Sequence, residues 1–256
     1  MLLQDPGLSP IKAPPVTAFE RGMALFEATP PNYESAVRCF RAAADAGSGD
    51  ALAMLGLCQL EGLGMPADAV QARVVLKQAA SRRSALGRFQ LGRVLMTGRG
   101  GEADEAAGLT AYVSAAAMGH AEATFNLANC LFAGVGCIAD RLAAKSLYLR
   151  ARALGCTLRP RGVLVKRSEL KSVRALAQLF ADPNRMFFLV QERQQELAQA
   201  YAALQGSAQA TATDAPPGTL RNAGRLAAGV VAAMAGTLGQ FLRPTAGDAG
   251  PTKLDF

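Results

Sequence analysis

The chain has 256 residues, is half hydrophobic and carries a formal net charge of +7, with 27 Lys and Arg against 20 Asp and Glu. High apolar content at modest charge excludes a wholly disordered chain, while one His and five Cys without a CxxC pair exclude a His-based metal cluster, a disulfide framework and a zinc ribbon. Only 6% of residues are aromatic and Trp is absent, so Ala, Leu and Gly supply the apolar character, which suits close helix packing better than sheet stacking.

Residues 1–17 carry Pro6, Pro10, Pro14 and Pro15 and read as an irregular lead-in. Met1-Leu2-Leu3 is followed at once by Asp5 and Pro6, which is no signal peptide. Unpaired cysteines then fit a reducing, cytoplasmic setting.

From residue 18 to 155 one period dominates. Gly62-Leu63-Gly64, Gly98-Arg99-Gly100 and Gly134-Val135-Gly136 recur every 36 residues. Leu55, Leu91 and Leu127 keep the step, each followed by a small residue. So do Phe40, Leu76, Tyr112 and Tyr148, then Ala36, Ala72, Gly108 and Ala144, and Ala43, Ala79, Ala115 and Ala151. Several independent columns on one period mark a repeat array. Each repeat reads as two helices, the first over about 50–61 and the second over about 68–81 in the first full copy. The Gly-x-Gly ends the first helix with a left-handed cap. Asp68 starts the second. Gly47, Gly119 and Gly155 end the repeats, with Arg83 the exception in that column. A single helix pair cannot bury its own apolar face, so the pairs must stack into an α-solenoid. Residues 18–47 form a degenerate first copy in which Phe26 and Ala28 stand where the glycines would be.

The pattern Ala-x₃-Leu-Gly, Gly-x-Gly, Ala-x₃-Leu-x₂-Ala-Ala-x₂-Gly resembles the Sel-one-like repeat, a relative of the tetratricopeptide repeat with a longer inter-helix loop. Three good copies span about 50–155 and a partial copy about 18–49, with the family's acid after the Gly-x-Gly kept as Asp68, Asp104 and Asp140. Gln59, Leu95 and Leu131 fill a column that often holds an aromatic, and Gly87 replaces the opening Ala of the second copy. The resemblance implies a non-catalytic adaptor without a cofactor, of bacterial type, that binds a protein or peptide segment. It also implies that first helices line a concave groove, which places Leu57, Leu60, Phe89, Arg93, Met96, Phe125, Asn129 and Phe132 on the partner face. The competing reading is that the chain's own C-terminal helices fill that groove.

Three further features read as structural. His120, at a repeat junction, is expected to be packed or hydrogen-bonded. Cys58 and Cys130 sit two repeats apart, too far to bridge. Cys130 and Cys137 are expected to be buried thiols.

Residues 156–205 read as a basic loop and a helical cap. Between Arg159 and Arg174, the basic residues Arg159, Arg161, Lys166, Arg167, Lys171 and Arg174 are opposed only by Glu169. This cluster is a candidate anionic-surface contact; the simpler reading is a solvated loop and helix face, and with no interleaved aromatic residue the stretch does not predict specific nucleic-acid binding. Ser168 is expected to cap a helix with Leu170, Val173, Ala177 and Phe180 on one face, and Asp182-Pro183 starts another that should end at about Leu204.

Residues 206–219 read as a flexible linker. Residues 220–243 are expected to form an apolar terminal helix, with 17 uncharged residues from Leu226 to Leu242, at the short edge of a membrane span. The alternative function is therefore a membrane-associated scaffold anchored by 220–243. An amphipathic docking helix fits the same segment, through Leu220, Ala227, Val231, Met234, Leu238 and Phe241. Residues 244–256, with two Pro and two Gly, are expected to be a loose tail. The expected class is all-α: a solenoid of about four 36-residue helix pairs, a C-terminal helical cap and a tethered terminal helix.

Overall fold

Asn32, Asp68, Asp104 and Asp140 stand 36 residues apart, and each opens a helix. Their side-chain oxygens accept the backbone N–H three residues on, at 3.1 Å for Asn32 and 2.9 Å for the three aspartates. Each such bond satisfies an otherwise orphaned donor and is worth about 1 kcal/mol. A second column does the same for the preceding helices. Ser48, Ser84 and His120 accept from Ala51, Gly87 and Ala123.

The computed structural model describes residues 17–213. The helices are α1 (Ala18–Phe26), α2 (Tyr33–Asp45), α3 (Gly49–Glu61), α4 (Ala69–Ser81), α5 (Ala85–Thr97), α6 (Glu105–Ala117), α7 (Ala121–Ala133), α8 (Arg141–Ala153), α9 (Leu170–Leu179) and α10 (Pro183–Thr213). No strand occurs among the described residues. The first eight helices form four consecutive pairs, so the array is an all-α solenoid. A boundary between Glu192 and Arg193 divides the chain into two units, and the four pairs belong to the first.

Within a pair, a small residue on the first helix lets a large one on the second lie across it. A Cβ on Gly56 would come within 2.7 Å of the Leu76 side chain, and one on Gly92 within 2.7 Å of the Tyr112 ring. In α1 the same role falls to Gly22, which faces Phe40 at 2.6 Å. Gly22 lies two places out of the 36-residue register, which the period alone could not find.

The Gly-x-Gly motifs have two separate jobs. Gly62, Gly98 and Gly134 cap α3, α5 and α7 in the left-handed conformation. Gly64, Gly100 and Gly136 instead press on the first turn of the preceding repeat's second helix. A Cβ there would collide with the backbone of Tyr33, Ala69 and Glu105 respectively.

Arginines add polar ties between repeats. Arg82 donates to the Ala44 carbonyl at 2.9 Å, Arg73 to the Glu102 carbonyl at 2.8 Å and Arg99 to the Leu60 carbonyl at 2.8 Å. These bonds satisfy carbonyls at helix ends and in loops.

Beyond α8 the core continues into α9 and the start of α10. Leu176, Phe180, Met186 and Val190 share one apolar cluster with Leu127, Leu131 and Leu147. Ser168 does not cap α9: the cap position is Glu169, whose side chain makes no capping bond because it turns to Lys145 instead. Asp182 accepts from the Asn184 N–H at 2.9 Å at the start of α10. That helix passes Gly206 and runs to Thr213, into the stretch read from composition as linker. One interior glycine costs only about 1 kcal/mol, and the Ala and Gln around it are good helix formers. Residues 220–243 and 244–256 lie outside the described residues. Among the described residues no helix is long and apolar enough to cross a membrane.

Candidate partner-binding face

The groove positions form three columns on α3, α5 and α7, and α3 also touches α5 directly. Leu57, Arg93 and Asn129 make one column; Leu60, Met96 and Phe132 make another; Phe89 and Phe125 belong to the third. The structure divides them. Leu60 is 5% exposed and packs with Ala72, Leu76 and Val94. Phe125 is 9% exposed, clustered with Ala151 and Cys156, with its ring 5.3 Å from that of Tyr148. Both are core residues and leave the partner face. In each case the second helix of the repeat curls over the position, an effect that a column count does not carry.

The other six are half-buried, and most are oriented by neighbours. Phe89 stacks on His120 at 4.6 Å. The Arg93 guanidinium lies 6.0 Å from the Phe89 ring centroid and donates to Gln90 Oε1 at 2.9 Å. Arg141 covers Phe132 at 5.7 Å. Tyr148 donates its hydroxyl to Asn129 Oδ1 at 2.7 Å. Leu57 packs at the margin of the Val37–Phe40–Met54 cluster. Met96 occupies the space that a side chain on Gly108 would need. The face is thus an apolar strip with one cation and one amide, carried on α3, α5 and α7. Such a strip can hold a peptide by apolar contact and fix its direction by hydrogen bonds.

Nucleophilic chemistry is poorly served here. Burial pushes the Cys58 thiol up to about 11 and those of Cys130 and Cys137 to about 12, so they stay protonated and unreactive at neutral pH. Cys137 Sγ lies 3.7 Å from the Cys130 carbonyl oxygen, and both cysteines are free. Among the described residues no three His, Cys, Asp or Glu side chains gather as metal ligands would.

The six basic residues of the loop and α9 are all exposed. Arg167, Lys171 and Arg174 line a shallow open depression with Leu170, Ala175 and Gln178. Glu169 does not neutralise it. Its carboxylate binds Lys145 Nζ at 2.7 Å and the Lys166 N–H at 3.0 Å, and these bonds hold it below the usual carboxylate range. Composition gives no sign of Leu170, Ala175 and Gln178 as lining residues, although their helical spacing from Arg167 and Lys171 is a signal that could find them.

Comparison with known proteins agrees with this architecture. The Sel1 repeat family model matches residues 17–48, 49–84, 85–120 and 121–156, in step with the four helix pairs. No curated protein matches the chain. Among solved structures, a Sel1 repeat protein from Oxalobacter formigenes is similar at 21% identity, with TM-score 0.51, over 62% of this chain and 69% of that one. A second, c5321, is described as a protective antigen of uropathogenic Escherichia coli strains displaying an SLR fold. It is similar at 18% identity, with TM-score 0.51, over 68% of this chain and 40% of its own length.

Proposed function

We propose, because this chain belongs to the Sel1 repeat family, that it is a non-catalytic scaffold holding a protein segment on the first-helix face of its repeats. Arrays of this family generally serve protein–protein interaction. The carrying observation is that Leu57, Phe89, Arg93, Met96, Asn129 and Phe132 stay half-exposed in register, while Leu60 and Phe125 are taken into the core. In this reading a helical or extended peptide packs on Phe89, Met96 and Phe132, and its polarity is set by Arg93 and Asn129. Five free cysteines suit a reducing compartment such as the bacterial cytoplasm.

Peptides selected from a displayed library against the full chain provide the test. Binding of the selected peptides should fall when Arg93→Glu and Phe132→Ser are combined, with helicity unchanged. Peptides that bind the double variant as well as the parent would defeat the reading.

A further inference from the structure

Charge is distributed one-sidedly at the end of the array. From Arg141 to Asp182 there are ten basic residues and two acidic ones. Both acids are engaged within the fold, Glu169 by Lys145 and Asp182 by the Asn184 N–H. Among the described residues, Arg167, Lys171 and Arg174 make no ion pair.

These three cations also share a geometry. Lys171 and Arg174 lie one turn apart on α9, and Arg167 precedes the helix by one turn. With Leu170, Ala175 and Gln178 they form one stripe and line the depression. The opposite side of α9 carries Val173 and Leu176, and Phe180 follows at its C-terminal end, all buried. The outer stripe therefore combines a small apolar floor with a row of cations at spacings of four and three residues.

We propose that this depression is a second docking surface, separate from the first-helix face, and that it takes an acidic amphipathic helix of a protein partner. Carboxylates at i, i+4 and i+7 on that helix would meet Arg167, Lys171 and Arg174, and its small apolar residues would rest on Leu170 and Ala175. Charge complementarity and helical spacing carry the choice of partner. Nucleic acid is disfavoured because none of the lining residues is aromatic, so no base can stack. A flat bilayer is disfavoured because the stripe itself offers only Leu170 and Ala175 as apolar contact, and Leu170 is half-buried.

The test uses the full chain and a fluorescein-labelled peptide of three Glu-Ala-Ala-Leu-Glu-Ala-Ala heptads, followed by anisotropy. Binding should be present at low salt and weaken as salt rises. Reversing Arg167, Lys171 and Arg174 to Glu should weaken it by about tenfold or more, as expected for three exposed charge pairs. Reversing Arg159, Arg161 and Lys166 changes the net charge equally, and should weaken binding by less than about threefold if the effect is local. Lys171→Gln is a milder variant should the triple reversal disturb helicity. A peptide of the same composition with its glutamates gathered at one end should bind distinctly more weakly. The proposal fails if the heptad peptide does not bind, if both triple reversals act alike, or if the clustered peptide binds equally. It also fails if phosphatidylserine vesicles, rather than the peptide, retain the chain through these three residues.

Discussion

His120 lies stacked on Phe89, with ring centroids 4.6 Å apart and planes 26° from parallel. The contact joins the cap of α7 to the face of α5, and so couples two repeats through an imidazole. His120 Nδ1 accepts the Ala123 N–H at 3.3 Å. That nitrogen therefore holds a lone pair, and its 3.4 Å approach to Glu122 is not an ion pair in this state. Burial lowers the His120 pKa below its ordinary 6.5, against smaller opposing effects of Glu122 and Asp50.

Acid should therefore destabilise this junction. The fold prefers neutral imidazole, so stability is complete above pH 6.5 and declines as the pH falls through 6.5 towards the lower folded value. Protonation removes the cap acceptor and sets a cation at a helix N-terminus, a loss of about 1 kcal/mol. Serine fills the equivalent positions at 48 and 84, so His120→Ser should give a flatter stability profile between pH 7.5 and 5 in urea titrations. Parallel profiles for the two proteins would contradict this assignment.

Glycine substitutions separate backbone strain from steric collision. At Gly119, φ is +84° and a Cβ would have nothing within 4 Å of it, so Gly119→Ala should cost about 1–2 kcal/mol. At Gly100, φ is +75° and a Cβ would strike the Ala69 carbonyl, so Gly100→Ala should cost about 3 kcal/mol or more. Arg83 tests the same physics in reverse. It holds φ +60° in a column otherwise filled by glycine, so Arg83→Gly should stabilise by about 0.5–1 kcal/mol after the entropic cost of glycine. Urea unfolding of the three variants ranks these effects.

Gln59 carries a buried carbonyl oxygen, Oε1, that has no hydrogen-bond partner. Leu95 and Leu131, one and two repeats later, are buried without such a group. Gln59→Leu should raise unfolding stability by about 1 kcal/mol. A fall in stability would mean that a water satisfies the amide.

Phe125 and Phe132 should respond differently to the same truncation. Phe125→Ala opens a cavity against Ala151 and Cys156 and should cost about 3–4 kcal/mol. Phe132→Ala removes a half-exposed ring and should cost about 1 kcal/mol, with its main effect on peptide binding. Urea unfolding and anisotropy on the two variants measure the two effects separately.

The repeat period, the helix pairs and their glycine caps are legible because each recurs in the sequence on the same 36-residue step. The acid column is legible too, and Asp68, Asp104 and Asp140 each cap a helix. What escapes depends on neighbours that the step does not encode. Gly22 escapes because the first repeat has a shorter corner at Pro30 and Pro31, which moves it out of register. Column position alone puts Leu60 and Phe125 on the partner face, but the local path of the second helix decides which members of a column are covered. Glu169, not Ser168, stands at the start of α9, and its side chain goes to Lys145, distant in sequence, so no side-chain cap forms there.

The seat of each second glycine on the helix start 31 residues before it has a genetic corollary. Adding or removing a few codons between those two points would unseat the glycine, whereas duplicating or deleting a complete repeat leaves every seat intact. Lineages of this protein should therefore differ in length by whole repeats, and shorter insertions should collect at the ends of the array.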